Sequence, residues 1–478
     1  MNNKAYKPTI GIETHVQLKT KTKLFAAVGN DARSAGPNSL ISHICAGLPG
    51  ALPVLNREAV AICVRAAFAL GTKPQKFSKF ERKHYFYPDL PKGYQITQYE
   101  DPIISGGQVV VTTGGKEKTI GIERAHLEED AGKNTHPPGT DYSLVDLNRA
   151  GTPLLEIVSR PDIGSPAEAK AYARELYLLM KYAGVTDGDL YHGHIRFDLN
   201  VSVSDNPQKP GIRTEIKNLN SFRSVEAAAQ FEIKRQTEIL AGGGKVIQET
   251  RGWDEAKQKT LPQRAKEEAE DYRYMPEPDV PPLELDESFV EEARSKMPLL
   301  PGDIRRQLMK LEVTPQVIED ILDRQSIVRP VMDVLEVAGA KDARRAAFWL
   351  ISADPADENI EGNLEPEVDS GRLVGLSKMI DDGKLNSSAA KKVFDKMLSS
   401  PETPDKIAEK LNLLQVSDEK KLEKNVDDVI SKNPAVAEDI IAGQTKAIGF
   451  LVGQVMAATK GQANPALVQE IIKRRLGV

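Results

Sequence analysis

The chain has few of the features that mark secreted or membrane proteins. Cys45 and Cys63 are the only cysteines among 478 residues, too few for a disulfide framework. No run approaches the roughly 20 apolar residues of a membrane span, and the opening residues lack the apolar core of a signal peptide. We therefore expect a cytoplasmic protein. The net charge of −5 argues against indiscriminate nucleic-acid binding but leaves room for a local basic surface.

A P-loop is absent as well. The sequence GGK at 114–116 and GGGK at 242–245 resemble part of one. Glu117 and Val246, however, stand where the motif requires Ser or Thr. Any nucleotide must therefore bind to a site of another design.

The organisation of the chain changes along its length. Strand-like patterns dominate the first 295 residues, helical periods dominate after Pro301, and Pro401 and Pro404 separate two helical blocks. These patterns predict an α+β protein. Its expected parts are an antiparallel β-rich domain (1–295), an all-α domain (296–405) and a small all-α tail (406–478).

Paired glycines interrupt the β-forming residues that precede the acidic stretch. Gly106-Gly107 and Gly114-Gly115 each suit the two-residue turn of a β-hairpin, so the sequence predicts two hairpins here. Further along, Asn56 and Ser165 are predicted to cap helices that begin directly after them.

Carboxylates are concentrated in the stretch 121–162. Glu123, Glu128, Glu129, Asp130, Asp141, Asp146, Glu156 and Asp162 lie in and around short apolar runs. Burying such a group is costly unless a cation meets it, and a divalent metal with substrate phosphates is one such partner. The alternative is a solvated sheet face, which the charge pattern by itself favours.

Three other predicted strands also have a polar face. In 9–18, Glu13 and His15 share a face, and a Glu-x-His pair suits either a metal or a structural role. In 194–204, the polar face carries Arg196, Asp198 and Asn200. In 212–221 it carries Arg213, Glu215 and Lys217. These residue types indicate phosphate and metal binding in a concave site, with a plain solvated sheet as the alternative.

Aromatic residues cluster in 80–101, which contains Tyr85, Tyr87, Tyr94 and Tyr99. This patch suits stacking on a nucleobase or ribose, or an aromatic core beneath a loop. The Pro-rich segment 271–282 is typical of a domain boundary.

Basic residues are concentrated near the end of the chain. From Gly443 to Val478 there are five, Lys446, Lys460, Lys473, Arg474 and Arg475, against the single acidic Glu470. Nucleic acid is a reasonable partner for such a surface. A favourable interaction with the helix dipole explains the last three equally well, but not the first two.

Long motifs resemble those of the B subunit of the bacterial and organellar aspartyl/glutamyl-tRNA amidotransferases. They are IGIETHVQLKTKTKLF, GLPGALPVLN, HYFYPDLPKGYQITQY, HLEEDAGK, SLVDLNRAGTPLLEIVSRPD, RTEIKNLNSFR, QETRGWDEAK, DYRYMPEPDVPP and, in the tail, KAIGFLVGQVMAATKGQANP. The resemblance implies a heterotrimer with an amidase, the A subunit, and a small C subunit. The amidase hydrolyses glutamine and sends ammonia to the B subunit.

The resemblance also implies the chemistry. The B subunit uses ATP and magnesium to phosphorylate the side-chain carboxylate of Glu misacylated on the glutamine tRNA, or of Asp on the asparagine tRNA. Ammonia then displaces phosphate, so the complex is a carbon–nitrogen ligase with glutamine as amide donor. The implied fold is a β-rich cradle, a helical domain and a helical tail that meets the tRNA. The alternative is a tRNA-binding scaffold protein without catalysis of its own.

The resemblance assigns roles to individual residues. The implied metal ligands are Glu13, His15, Glu128, Glu129 and Glu156, although histidine is an unusual magnesium ligand and His15 could act through a water. The implied catalytic residues are Glu129, Arg196 and Lys217. Implied contacts to ATP or the acyl group are Arg149, Asp198, Asn200 and Glu215. The implied tRNA contacts are Lys446, Lys460, Lys473 and Arg474.

The chain departs from the family pattern at one place. Many members carry a zinc knuckle of four cysteines, but Ala26, Val28 and Ser42 replace three of them and only Cys45 is left. One thiolate cannot form a tetrahedral zinc site, so we expect no zinc. The loop from Phe25 to Cys45 must then be held by other contacts or be mobile.

Overall fold

The structure, a computed structural model, describes residues 6–206, 208–264, 272–353, 368–415, 419–459 and 463–478. The chain divides into two compact units, Met1–Pro301 and Gly302–Val478. All strands found among the described residues belong to the first unit, and the second is helical. The α+β prediction is confirmed. The further boundary predicted at 405/406 stays a prediction.

Sixteen strands are found in the described part of the first unit. They are β1 (Lys7–Gln17), β2 (Phe77–Ser78), β3 (Glu81–His84), β4 (Tyr94–Thr97), β5 (Ile104–Ser105), β6 (Gln108–Thr113), β7 (Lys116–Glu129), β8 (Lys133–Thr135), β9 (Leu144–Asp146), β10 (Pro153–Ser159), β11 (Ile195–Ser204), β12 (Thr214–Leu219), β13 (Glu249–Asp254), β14 (Lys259–Arg264), β15 (Met275–Pro276) and β16 (Leu283–Glu284). The helices of this unit are α1 (Arg57–Ala69), α2 (Pro166–Tyr182), α3 (Phe222–Ala241) and α4 (Glu287–Ser295).

Nine of these strands form one sheet. Its order is β14-β13-β12-β11-β1-β10-β7-β5, and β6 pairs with β7 off this path. Every pair in it is antiparallel except β12–β13. Helix α3 lies between those two strands in sequence and supplies the crossover that parallel strands require.

One face of this sheet is apolar. Ile12, Ile157 and Phe197 lie on this face, and they join Tyr172 of α2 and Val225 of α3 in one buried cluster. Full burial of such a side chain is worth about 1.5–3 kcal/mol, so the alternation decides which face the helices cover. The polar side chains therefore project from the other face.

The helix caps agree with the sequence. Asn56 accepts hydrogen bonds from the backbone N–H groups of Glu58 and Ala59 at the start of α1. Ser165 accepts from the N–H of Glu168 at the start of α2. Both predicted caps are confirmed.

Of the two predicted hairpins, one is correct. Strands β6 and β7 pair around Gly114-Gly115. The hairpin predicted at Gly106-Gly107 is wrong, because β5 and β6 both pair with β7. Gly107 has a φ of +117°, and a Cβ there would lie 2.9 Å from the carbonyl oxygen of Leu70. Close packing against the end of α1, together with a left-handed backbone, requires glycine at this position.

The second unit is built from helices and short 3₁₀ turns in its described residues. The helices are α5 (Pro301–Leu308), α6 (Pro315–Asp323), α7 (Gln325–Ala338), α8 (Ala340–Ile351), α9 (Ser370–Asp381), α10 (Ser387–Met397), α11 (Pro404–Lys410), α12 (Glu419–Lys432), α13 (Pro434–Ile441), α14 (Ile448–Ala458) and α15 (Pro465–Leu476). Val468, Ile471 and Ile472 of α15 share one face of that helix and are buried in a cluster with residues of α12 and α14. In the part of the chain that is described, every helix is too short or too polar to cross a bilayer.

Candidate functional site

The polar face of the large sheet forms the floor of a cavity. Antiparallel pairing aligns His15 of β1 with Glu156 of β10, and Glu156 with His126 of β7. The next row aligns Glu13 of β1 with Asp198 of β11. Residues directly opposite each other on such strands share a face, so the register alone brings these acids and imidazoles together.

Two carboxylates and two imidazoles form the tightest group in this floor. Oε2 of Glu156 lies 3.5 Å from Nε2 of His15 and 3.4 Å from Nε2 of His126. Oε2 of Glu128 lies 3.6 Å from Nε2 of His126. One ligand atom each from His15, Glu128 and Glu156 lies within 4.8 Å of the others. This spacing suits three ligands of one cation.

The carboxylates dominate the electrostatics of this group. Burial alone would lower the pKa of His15, but its hydrogen bond to Glu156 and the nearby acids raise it to about 9. The pKa of His126 is likewise raised to about 9, because Glu156 and Glu128 outweigh the effect of burial. Burial raises the pKa of Glu156, but His126 and His15 hold it well below its usual range. At neutral pH these acids hold a proton on each imidazole, so a metal ion bound by His15 would displace the proton from that ring.

A second charged group occupies the adjoining strands. Lys217 Nζ lies 3.5 Å from Oδ2 of Asp198 and 3.7 Å from Oε1 of Glu215. Glu215 also accepts a hydrogen bond of 2.8 Å from the hydroxyl of Thr250. Burial would lower the pKa of Lys217, but these two acids and Glu13 raise it, so its ammonium keeps its charge. A lysine ammonium fixed beside carboxylates that could bind a metal is suited to binding phosphate.

The cavity above this floor has a volume of about 490 Å³. The residues that line it are Glu13, His15, Lys83, Thr97, Gln98, Tyr99, Arg124, His126, Glu128, Glu156, Asp198, Arg213, Glu215, Lys217, Gln248, Thr250, Tyr272 and Tyr274. The rings of Tyr99 and Tyr274 stack with their centroids 4.2 Å apart, and the Lys83 ammonium lies 4.6 Å from the centre of the Tyr272 ring. The wall is thus aromatic, whereas the floor is charged.

Most of the residues predicted from the sequence meet in this cavity. Those that line it are Glu13, His15, Glu128, Glu156, Asp198, Glu215 and Lys217. Glu129, Arg149, Arg196 and Asn200 do not line it. Asn200 still contributes, because its side-chain amide donates a 2.8 Å hydrogen bond to Glu13 and so orients that carboxylate.

Glu129 is separated from its neighbour Glu128 by the alternation of the strand. Its Oε1 accepts a hydrogen bond of 3.0 Å from the backbone N–H of Ile96 and pairs with the Lys92 ammonium. Glu128 instead accepts from the hydroxyl of Thr97 within the cavity. The geometry therefore gives Glu129 a structural pairing, and its predicted metal and catalytic roles stay untested.

Arg149 and Arg196 converge on one carboxylate outside the cavity. Oδ2 of Asp130 lies 3.0 Å from Nη2 of Arg196 and 3.3 Å from Nε of Arg149. Arg149 also donates to the carbonyl oxygens of Ala131 and Gly132. Both arginines thus fix the chain that follows β7, and their predicted contacts to ATP or substrate stay predictions.

Several cavity residues were missed by the sequence reasoning. His126 could have been found, because it lies two residues before Glu128 on a strand and must share its face. Tyr272 and Tyr274 were hidden in a segment interpreted as a boundary. That segment instead adds strand β15 to β3, which carries both tyrosines to the cavity wall.

The aromatic residues of 80–101 were predicted either to stack on a nucleotide or to form a core beneath a loop, and the structure has some in each kind of position. Tyr99 lines the cavity, whereas Phe80 is buried in the core. The ring of Tyr94 packs under the guanidinium of Arg82 at 4.3 Å. Phe86 is 87% exposed. Stacking on a nucleobase stays a prediction.

A buried lysine holds the loop that was expected to lack a zinc knuckle. Lys23 Nζ donates to the carbonyl oxygens of Leu40 (2.6 Å) and Leu147 (3.3 Å) and lies 3.4 Å from the Sγ of Cys45. Ser42 Oγ accepts from the backbone N–H groups of Ile44 and Cys45. The loop was expected either to be held by contacts other than zinc or to be mobile. In the structure these contacts hold it.

Three of the four predicted tRNA-binding residues lie among the described residues. Lys446 and Lys473 are exposed. Arg474 forms an ion pair with Glu423 of α12, and this pair partly neutralises its charge. Lys460 lies outside the described residues. The basic tail stays a predicted interface.

Comparisons with known proteins agree along nearly the whole chain. A family model described as the GatB/GatE catalytic domain matches residues 8–291, and one described as the GatB domain matches residues 334–476. Among curated relatives, a protein of Carboxydothermus hydrogenoformans is 42% identical over 98% of this chain and 99% of its own. One of Moorella thermoacetica is 43% identical over 98% of this chain and 100% of its own, and one of Geobacillus kaustophilus is 44% identical over 99% of each. All three are named as the B subunit of aspartyl/glutamyl-tRNA(Asn/Gln) amidotransferase.

Proposed function

Because the chain belongs to the family of aspartyl/glutamyl-tRNA(Asn/Gln) amidotransferase B subunits, we propose that it activates a carboxylate for amidation. The proposed substrate is tRNA that carries Glu in place of Gln, or Asp in place of Asn. The chain transfers the γ-phosphoryl group of ATP to the side-chain carboxylate of that amino acid. Ammonia from a partner amidase then displaces phosphate and leaves the amide.

The observation that carries this proposal is the composition of the 490 Å³ cavity. Its floor combines three side chains spaced as cation ligands with a charged lysine, and its wall contains stacked tyrosines. Phosphoryl transfer depends on positioning and charge neutralisation rather than on a protein nucleophile. Among the described residues, the cavity lining contains no Ser or Cys, which is consistent with such chemistry.

The donor set of His15, Glu128 and Glu156 fits a divalent cation, because two of its three ligands are carboxylates. These residues would hold a magnesium ion, which when bound neutralises the charge of the phosphates. Glu13, oriented by Asn200, adds a further carboxylate beside this group.

Two further residues act directly in the proposal. The Lys217 ammonium, held between Asp198 and Glu215, binds phosphate oxygens and keeps its charge at neutral pH because those acids raise its pKa. The hydroxyl of Tyr274 stays protonated, since burial raises its pKa, and it can donate a hydrogen bond into the cavity.

Phosphorylation solves a specific chemical problem. A carboxylate is a poor electrophile for ammonia because its leaving group would be an oxide. In the first step a carboxylate oxygen forms a bond to the γ-phosphorus and ADP departs. In the second step the ammonia nitrogen bonds to the acyl carbon, phosphate departs and a proton is released. Separating the steps divides one high barrier into two lower ones.

Partner proteins are part of the proposal. We assign glutamine hydrolysis to an amidase, the A subunit, and we expect a small C subunit in the same heterotrimer. The exposed Lys446 and Lys473 of the tail are proposed to contact the tRNA backbone.

An isotope experiment tests the activation step. The assembled complex is supplied with tRNA whose glutamyl side-chain carboxylate carries ¹⁸O at both oxygens, with ATP and with ammonium in place of glutamine. We expect one ¹⁸O atom to appear in inorganic phosphate for each amide formed. Amide formation without that transfer would contradict an acyl phosphate, and a folded complex that binds tRNA without cleaving ATP would indicate a scaffold protein.

Two variants on strand β7 connect the experiment to the cavity. Glu128→Gln removes a charge from the cation site and should lower ATP cleavage on the order of 100-fold. Glu123→Gln is the control, because Glu123 is exposed on the same strand and pairs with Arg160. Equal activity of the two variants would exclude the cavity as the phosphorylation site.

A further inference from the structure

Arg124 is the one cavity-lining arginine that is half-buried rather than exposed, within the part of the chain that the structure describes. It lies on β7 two residues before His126, opposite Val158 of β10. Strand alternation therefore places it on the same face as His126 and Glu128, one step along the strand from the cation site.

The buried Nε of Arg124 makes no hydrogen bond to the described residues. An unpaired buried donor costs free energy, which a fold normally avoids. A donor left unpaired beside a substrate cavity is therefore a candidate for binding a ligand.

The other Lys and Arg side chains of the cavity are either engaged by neighbouring residues or exposed to solvent. Lys217 is shared between two acids, and Lys83 lies over the ring of Tyr272. Arg213 lines the cavity but is exposed to solvent. Of the cavity-lining cations that the structure describes, Arg124 alone combines partial burial, a permanent charge and an unused donor.

We propose that Arg124 is a catalytic residue whose guanidinium binds the phosphoryl group as it passes from ATP to the substrate carboxylate. A guanidinium presents planar paired donors that match two oxygens of a phosphoryl group. Arg124 lies one same-face step from His126 and two from Glu128, so its guanidinium shares the face of the cation site and lies beside it. This inference rests on the proposed function of the same cavity.

The step is balanced without any further reactant. A carboxylate oxygen forms a bond to the γ-phosphorus while the bond from that phosphorus to the bridging oxygen breaks. The electron pair of the broken bond leaves with ADP. Arg124 donates hydrogen bonds to the equatorial oxygens, and it neither gains nor loses a proton.

The test compares three variants in the full heterotrimer. Arg124→Lys keeps the charge but loses the paired donors, and Arg124→Leu removes both. We expect both variants to lower kcat for tRNA-dependent ATP cleavage on the order of 100-fold, with a smaller change in the KM for tRNA. Arg160→Lys is the matched control, because Arg160 is exposed and pairs with Glu123 away from the cavity.

A second readout separates a ligand-binding role from a structural one. Because Nε has no partner among the described residues, Arg124→Leu should have a Tm no lower than that of the wild-type protein without ligands. The increase of Tm that ATP and magnesium give the wild type should shrink in Arg124→Leu. A lower Tm without ligands would make Arg124 structural and overturn the inference.

The remaining outcomes are also decisive. If Arg124→Lys retains the wild-type kcat, the inference fails while the proposed function stands. If the KM for aminoacyl-tRNA rises and kcat is unchanged, the guanidinium binds the substrate carboxylate rather than the phosphoryl group, and the assignment is wrong. If the wild-type complex itself cleaves no ATP, the proposed function fails before any variant is compared.

Discussion

His15 and Glu156 face each other across the β1–β10 pair, with Nε2 of the imidazole 3.5 Å from Oε2 of the carboxylate. The two residues are far apart in the sequence, and only the register of two strands joins them. Glu156 also lies 3.4 Å from His126, so it is the carboxylate shared by both imidazoles. It is the central residue of the candidate cation site.

Glu156→Gln should therefore weaken binding of a divalent cation by about tenfold or more. Manganese is a suitable probe, because its binding is measured directly by electron paramagnetic resonance. Glu117→Gln is the control, since Glu117 is exposed near the start of β7. Equal manganese affinity in the two variants would show that Glu156 is not a ligand.

Glu128 and Glu129 are adjacent in sequence, but their substitution should have opposite effects. Glu129→Gln breaks the buried pair with Lys92, and we expect it to lower the free energy of unfolding by about 3 kcal/mol. Glu128→Gln should change stability little and should lower ATP cleavage. Denaturant titration and ATP cleavage on both variants test this. A stable, inactive Glu129→Gln would instead support the catalytic role that the resemblance implies for Glu129.

Protonation of Glu168 at acidic pH should lower the free energy of unfolding of the first unit. Burial raises the pKa of Glu168, but hydrogen bonds from Lys118 and from the backbone N–H of Gly164 lower it overall. A carboxyl with a depressed pKa stabilises the fold above its unfolded pKa of about 4.3, and this contribution is lost as pH falls through the folded pKa.

Lys118→Met should reduce this acid dependence. Urea unfolding at about pH 6 and about pH 3.5, on either side of the unfolded pKa, gives the comparison. The free energy of unfolding should change less between these two pH values in Lys118→Met than in the wild type. Lys170→Met is the control, because Lys170 pairs with Glu226 at the surface. An unchanged pH dependence in Lys118→Met would mean that other acids account for it.

Lys23 should hold the loop that ends at Cys45. Burial lowers its pKa, and the nearby Cys45 and Glu129 oppose that shift. Lys23→Met leaves the carbonyl oxygens of Leu40 and Leu147 without this donor, at an expected cost of about 1–3 kcal/mol. Hydrogen exchange should accelerate in residues 36–47 and stay unchanged in α2. If exchange in these residues stays as slow in Lys23→Met as in the wild type, other contacts are sufficient to hold the loop.

The tail should bind tRNA through its exposed lysines. Lys446→Ala combined with Lys473→Ala should raise the KM for tRNA and reduce the dependence of binding on salt, because each phosphate contact releases counterions. Lys392→Ala, an exposed lysine of α10, is the control. Arg474→Ala should have a weaker effect, since Arg474 already pairs with Glu423. Unchanged tRNA binding in the double variant would exclude this surface.

Strand alternation predicted much of the site from the sequence. The period of two placed Glu13 beside His15, and Glu215 beside Lys217, on polar faces, and the structure has them there. The same rule puts Glu128 and His126 on one face of β7 and Glu129 on the other. The resemblance to a family instead implied that both Glu128 and Glu129 are metal ligands. The wrong hairpin at Gly106-Gly107 shows a related limit. A glycine pair fits a tight turn and a close packing contact equally well, and only the neighbouring Leu70 distinguishes them.

The sequence by itself determined the family, the α+β class, the helix caps and the polar face of each strand. These depend on local periodicity and on motifs that neighbouring residues carry together. The tertiary structure decided which strands are neighbours, and with that the contacts among His15, His126 and Glu156. It also decided that Tyr272 and Tyr274 line the cavity and that the Nε of Arg124 has no partner among the described residues. These facts depend on register and burial between distant segments, which no local pattern encodes.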